Sequence, residues 1–337
     1  MSAPRKRLLP FFLPMAGCPH ICVYCDQRAV SGQGAAPSFD QVRSALAAFP
    51  GGEGAELAYY GGSFTCLPRE EQAAWLDLAA PYIAAGRLGG VRVSTRPDAV
   101  DGESCRFLRE RGVTTVELGL QSMDDGVLEA SGRGCTARQN RAACLAVQQA
   151  GLTLGGQLMI GLPQDSPRLA LDSLRQVLEL GCRLLRIYPT LVLRDTDLAR
   201  RLAAGSYAPL SLRQAVELCA DMLDLAAEAG ATVQRLGLPP SPQLEAGLVA
   251  GPYHPAFGGL VKEEVLQRKA LALLAGEQER LRGGAVLYCH QADLPLLFGQ
   301  KKTGRERLER TCPGLRLQGD AALAPGELRL EHHTQEK

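Results

Sequence analysis

The sequence predicts an α/β fold, and three observations carry that reading. Apolar, strand-like runs alternate with helical patterns about six times in the first 200 residues, at roughly 30 residues per unit. Several helical patterns end at glycines placed as C-caps. The polar and glycine-rich residues gather just after the strand-like runs. Parallel strands covered by helices follow, as a closed or partial barrel, with a doubly wound sheet as the alternative. In either, chemistry belongs at the carboxyl ends of the strands.

The strand-like runs are Leu8–Leu13, "ELAYY" before Gly61-Gly62, "VRVST" from Val91, "TTVELGLQS" from Thr114, "LTLGGQLMIGLP" from Leu152 and "RLLRIYPTLVL" from Arg183. Between them, Ser38 caps a helix running to Phe49, and Pro68 opens "REEQAAWLDLAAPY". "ARQNRAACLAVQQAG" ends at Gly151 and "PRLALDSLRQVLELG" at Gly181. "SLRQAVELCADMLDLAAEAG" places Leu212, Val216, Cys219, Met222, Leu223 and Ala226 on one face. After about residue 255 the pattern changes to a long helix, the strand-like "GGAVLYCHQ" and the helical "KTGRERLER". The chain is therefore read as a core of 1–254 and a small C-terminal α/β appendage of 255–337, of unknown role, with "EHHTQEK" frayed at the end.

Apolar residues make up 46% of the 337 and charged residues 22%, an ordinary globular balance. A net charge of +1 gives no global pull toward nucleic acid or an acidic membrane. The tract Lys301, Lys302, Arg305, Arg307, Arg310 reads as a solvated helix face. Eight of the 11 cysteines are scattered singly, at 66, 105, 135, 144, 182, 219, 289 and 312. They read as small core residues, which implies a reducing, cytoplasmic setting. No apolar run reaches the roughly 18 residues of a membrane span, so no membrane partner is expected. "MSAPRKRLLPFFLPMAGC" has the shape of a lipoprotein signal, but Pro10 and Pro14 interrupt it and "PHICVYC" follows where a tether belongs.

The remaining three cysteines are crowded together as Cys18, Cys22 and Cys25. Structural zinc needs four ligands and the spacing offers three. A thioredoxin-like Cys22-Val-Tyr-Cys25 would leave Cys18 idle. A four-iron cluster held by three thiolates leaves one iron open to a ligand, the logic of a catalytic metal.

C-x3-C-x2-C with Tyr24 before its last cysteine resembles the signature of the radical S-adenosylmethionine superfamily. The resemblance covers roughly residues 8 to 240. It implies a partial (β/α)6 TIM-like barrel, one [4Fe-4S] cluster on Cys18, Cys22 and Cys25, and S-adenosylmethionine cleaved to a hydrogen-abstracting 5′-deoxyadenosyl radical. It further implies cofactor contacts from Tyr24, from the turn Gly61-Gly62-Ser63, from Glu117 and Gln121 of "VELGLQS", from Arg133 of "SGRG" and from Gln157. Met159 is read as core packing. A flavodoxin- or ferredoxin-type electron donor is implied as a partner.

Within that superfamily "STRPD", "VELGLQSMDDGVLEASGRG", "GGQLMIGLP" and "RIYPTLV" resemble the radical domain of the Elongator catalytic subunit family, which modifies the wobble uridine of tRNA with an acetyl group supplied by a second domain. Three departures stand out: the x3 cysteine spacing, Ser94 in place of a glutamate, and an appendage too short for an acetyltransferase. The expectation is a short bacterial relative whose substrate is a tRNA uridine. A small-molecule radical enzyme akin to coproporphyrinogen oxidase is the alternative, and a non-catalytic metal protein the remaining one. Arg28, Arg96, Arg133 and Arg194 are candidates to meet phosphates or carboxylates at the barrel mouth. "GQKKTG" from Gly299 half-matches a phosphate loop but lacks its Lys-Ser/Thr.

Overall fold

A computed structural model describes residues 7–277 and 284–332. In chain order the strands are β1 Leu8–Phe12, β2 Glu56–Tyr60, β3 Gly90–Thr95, β4 Val113–Gln121, β5 Thr153–Ile160, β6 Leu184–Pro189, β7 Val192–Leu193, β8 Thr232–Leu236, β9 Leu248–Ala250, β10 Ala285–Cys289, β11 Arg316–Gly319 and β12 Leu328–His332. The chain forms two compact units, one running to Ala215 and resuming over Leu225–Pro255, the other made of Val216–Asp224 and the residues from Ala256.

The first unit is a curled half-barrel of seven parallel strands in the order β1-β2-β3-β4-β5-β6-β8. The order never reverses, which separates it from a doubly wound sheet. Six of these strands are the runs expected from sequence, and β8 is the addition. "TVQRL" alternates only weakly and is largely exposed, because an edge strand is covered on fewer sides. Leu8–Phe12 of the signal-like segment is the opposite edge strand, while the segment's basic start lies outside the described residues, apart from Arg7. β2 and β3 are buried along their whole length, as a parallel sheet requires. Three of the helices begin with capping boxes closed by a glutamine: Ser38, Thr136 and Ser211 each accept from the N–H of the residue three on, a glutamine whose side chain accepts from the cap's own N–H.

The concave face is charged. Arg92, 1% exposed, gives Nε and Nη2 to Glu56 at 2.9 and 2.6 Å and Nη1 to Glu117 at 2.7 Å. Glu117 also holds Arg186, at 2.9 Å to each oxygen, and accepts from Gln157 at 3.3 Å and from Ser94 at 3.5 Å. Thr114 and Thr115 donate to Glu56. Two arginines face two glutamates, so the buried charge balances. Gly155, the register partner of Glu117, makes room for it, since a Cβ there would lie 2.9 Å from its Cγ. A glutamate in place of Ser94, also paired in register with Glu117, would bring a third carboxylate to the same two arginines.

In the second unit a three-stranded sheet, β11-β10-β12, packs Ala285, Leu287 and Cys289 against Leu266, Ala270 and Leu274 of the helix Phe257–Gly276. Glu331 and His332, expected to fray, are held in β12, and the rest of that tail lies outside the described residues. The two glycines of "GQKKTG" pack on the buried Gln267, with no space for a side chain at Gly304, so their role is close packing and not a phosphate cradle. In the basic tract Arg305 pairs with Glu309 and Arg307 with Glu264, at 2.7 and 3.0 Å. Among the described residues no helix is long and apolar enough to cross a membrane. All 11 cysteines are free; of the eight scattered ones seven are buried, and Cys66 is half-buried.

Removing Glu117 takes the carboxylate from the buried Arg186 guanidinium and leaves Arg92 with Glu56 alone. Glu117→Ala is expected to lower stability by about 3 to 5 kcal/mol in urea unfolding; a loss under about 1 kcal/mol would mean that Arg92 and Arg186 reach water instead. A second test uses pH. Burial pushes the Asp165 carboxyl up to about 6 from 3.8, and Asp124 adds to the rise against the opposing N–H donors of Gly161 and Ser166. The folded state thus binds this proton more tightly than the unfolded chain does. The group's stabilising contribution is full below 3.8 and is lost as pH rises through about 6. Asp165→Asn should flatten that stretch of the stability profile by roughly 3 kcal/mol; an unchanged slope would remove Asp165 from the account.

Candidate active site

A cleft of about 1230 Å³, open mouth included, lies at the carboxyl ends of the parallel strands, and Cys18, Cys22 and Cys25 all line it. The cysteine loop leaves β1 through a tight turn with Met15 at φ 60° and Gly17 at φ 71°. Its backbone is pinned to the turn after β2: Met15 N–H donates to Gly61 O at 3.0 Å and Ser63 N–H to Ala16 O at 2.8 Å. The glycines make this approach feasible. A Cβ on Gly62 would overlap Ala16 O, and one on Gly17 would overlap Ser63 O.

The far side of the loop is stapled to Ser131–Cys135. Val23 N–H donates to Ser131 O, and His20 Nε2 lies 3.0 Å from Arg133 O. Gly134, at φ 68°, leaves the space that the His20 ring fills. Arg96 is buried, forms a bidentate pair with Asp98, and donates to Arg133 O at 2.9 Å. Arg133 donates Nη2 to Gly119 O at 2.6 Å and Nη1 to Cys22 Sγ at 3.7 Å. Gly119 permits this, since a Cβ would sit 2.9 Å from that guanidinium.

Tyr24, Gly61, Gly62, Gln121, Arg133 and Gln157 all line the cleft with the three cysteines. Two expected contacts do not. Glu117 is committed to Arg92 and Arg186 beneath the floor. Ser63 is fully buried and bonds to Cys66 Sγ, Thr95 Oγ1 and Arg96 N. Gly62 has a packing role in addition to its place in the wall. Met159, read as core, is a half-buried part of the wall. Arg28 and Arg194 are exposed and lie outside it. Phe12, His20, Tyr60, Arg186 and Tyr188 line the cleft without having been singled out. For Arg186 and Tyr188 the signal was present, because alternate residues of β6 share one face. Arg186 also sits 4.5 Å over the Tyr60 ring and donates to its hydroxyl at 2.6 Å. Burial first, then Glu117, pushes the Tyr60 phenol up to about 12 against the pull of Arg186 and Arg92, so it stays protonated.

The wall fits the implied cofactors. Gln121, at φ 65°, buries an acceptor, Oε1, with no partner, and Arg133 buries a donor, Nε, with none. One unmet acceptor and one unmet donor suit the ammonium and carboxylate of an amino-acid ligand. Burial, with the neighbouring Cys22, pushes the Cys25 thiol up to about 12 against an opposing hydrogen bond from Gln27. Burial also raises Cys18, while Arg133 and Arg96 pull it down. Such thiols ligate only when a metal's own charge displaces their protons. Among the described residues no three Cys, His, Asp or Glu side chains converge on one metal ion, whereas thiolates of an iron–sulfur cluster each take a separate iron.

Comparison with known proteins supports the same reading. An uncharacterized protein of Methanocaldococcus jannaschii is 26% identical over 62% of this chain and 68% of its own length. A tRNA uridine(34) acetyltransferase of Dehalococcoides mccartyi is 32% identical over 41% of this chain, but the match spans only 31% of that relative. The structure of an archaeal Elp3 from Methanocaldococcus infernus shares the fold, with a TM-score of 0.59 at 19% identity over 78% of this chain and 63% of that one. The radical SAM superfamily matches residues 12–177 and the radical SAM C-terminal domain residues 182–267. The chain therefore belongs to the radical S-adenosylmethionine superfamily, with a radical domain similar to that of Elongator relatives, and is an enzyme of the class that uses a [4Fe-4S] cluster and S-adenosylmethionine.

Proposed function

We propose that this enzyme abstracts hydrogen from a uridine of tRNA. The observation that carries the reading is the charge balance of the cleft. Of its three arginines, Arg186 is matched by Glu117 and Arg96 by Asp98. Arg133 alone has no carboxylate partner among the described residues, and the methionyl carboxylate of S-adenosylmethionine would take its free Nε. A porphyrinogen, with its several carboxylates, would then find no unmatched cation on the wall. A neutral pyrimidine would find Phe12, Tyr60 and Tyr188 as apolar and stacking surface and the amide of Gln157 as a polar neighbour. The tRNA uridine(34) acetyltransferase relatives support the substrate class. Their acetylation forms no part of the proposal, because the match covers less than a third of each.

Cys18, Cys22 and Cys25 would hold the cluster, and Gln121 and Arg133 the amino-acid end of S-adenosylmethionine. When bound, that pair supplies reductive cleavage to methionine and a 5′-deoxyadenosyl radical. The protein keeps water from the radical by the apolar wall of Val30, Met159, Leu191 and Leu193. An electron donor of flavodoxin or ferredoxin type is part of the proposal, as is a cytoplasmic setting.

The test uses oxygen-free, cluster-reconstituted protein with dithionite and S-adenosylmethionine. 5′-Deoxyadenosine should form slowly alone and rise sharply with unmodified tRNA. A yield that tRNA leaves unchanged refutes RNA as the substrate while keeping the enzyme class. Cys18→Ala, Cys22→Ala and Cys25→Ala should each lose the brown cluster and all turnover; retention of both in any one would remove that cysteine from the ligand set.

A further inference from the structure

We infer that Arg133 sets the reduction potential of the enzyme's cluster by donating from its guanidinium to the sulfur of Cys22. This rests on the cofactor of the family and is independent of the substrate.

The guanidinium is buried, with Arg133 only 6% exposed, yet no carboxylate is bonded to it among the described residues. A buried cation without a counter-charge costs several kcal/mol, so this one calls for negative charge nearby. Its Nη1 points at Cys22 Sγ, 3.7 Å away, and Cys18 and Cys25 lie within its field. Thiolates with a cluster on them provide that charge.

The geometry is held at both ends. Nη2 is anchored on Gly119 O at 2.6 Å, and the Arg133 carbonyl receives Arg96 Nη2 at 2.9 Å and lies 3.0 Å from His20 Nε2, on the cysteine loop itself. A side chain meant only to fill space needs neither anchor. The aim of Nη1 is therefore fixed before any ligand arrives.

The electronic consequence has a definite sign. Reduction adds one electron to the cluster from a low-potential one-electron donor, with no bond made or broken and no proton taken up. A hydrogen bond to a ligating sulfur and a nearby positive charge both favour the reduced form and raise its potential. Arg133 thus makes the cluster easier to reduce.

The test is an anaerobic redox titration, followed by electron paramagnetic resonance, of reconstituted wild-type, Arg133→Lys and Arg133→Gln proteins without S-adenosylmethionine. Arg133→Gln should lower the ratio of reduced to oxidised cluster at fixed potential at least tenfold, about 59 mV for one electron. Arg133→Lys, which keeps charge but not the fork, should fall between. In wild-type protein labelled with 15N-arginine, the reduced cluster should show a 15N hyperfine coupling. Arg133→Gln with full iron content and the wild-type midpoint overturns the inference. If Arg133→Gln holds no cluster, the labelled wild-type protein decides alone, and absence of the coupling overturns it.

Discussion

Everything in the barrel unit depends on Arg92 and the two glutamates that clasp it inside the sheet. An aliphatic interior would fill a parallel barrel with layers of side chains. Here β2, β3, β4 and β6 instead point Glu56, Arg92, Glu117 and Arg186 into the concave face. Four charges can stay buried only if each is matched and hydrogen-bonded, and threonine, serine, glutamine and tyrosine side chains complete the set. The network forms a polar floor, and above it lies the cleft. Arg186 belongs to both, with one edge on Glu117 and one face on Tyr60 in the wall.

The second constraint is backbone against backbone. The cysteine loop is wedged between the turn after β2 and the segment Ser131–Cys135, and each approach uses a missing side chain, at Gly62 and Gly17 on one side and at Gly134 on the other. Three thiols thereby face one cleft without a helix or strand of their own. Hydrogen bonds to carbonyls hold the loop, which leaves its sulfur atoms for other work.

The parts legible in the sequence were those with a local cause. The cysteine spacing, six of the strands and the capped helices each express contacts within one segment or one period. What escaped depended on distant partners. β8 is an edge strand whose Gln234 and Arg235 hide the alternation, and Gln234 makes sense only beside Arg92, far away in sequence. Glu117 was a cofactor contact implied by the resemblance of "VELGLQS", but the identity of its partners is set by the curl of the sheet. Ser63 sits in a ligand-like turn, yet its hydroxyl is taken up by Thr95, Cys66 and Arg96 N–H. The turn Gly61-Gly62-Ser63 was read as a cofactor contact; Gly62 lies in the wall and also packs, since the place of a Cβ is taken by the chain's own Ala16 carbonyl. Met159 shows the reverse error, an apolar residue that helps enclose the cleft.

The electrostatic layout divides the cleft in two. At the cysteine end Arg133 contributes positive charge that no carboxylate among the described residues cancels, suited to thiolates and an anionic ligand. At the opposite end Arg186 is cancelled by Glu117, and Tyr60 stays protonated. A neutral end disfavours charged substrates, because a carboxylate there would compete with Glu117 for Arg186 and lose its hydration. It suits the neutral ring proposed as substrate, whose hydrogens would be reached without the desolvation of an ion. The segregation follows from which arginine the folded sheet leaves without a partner.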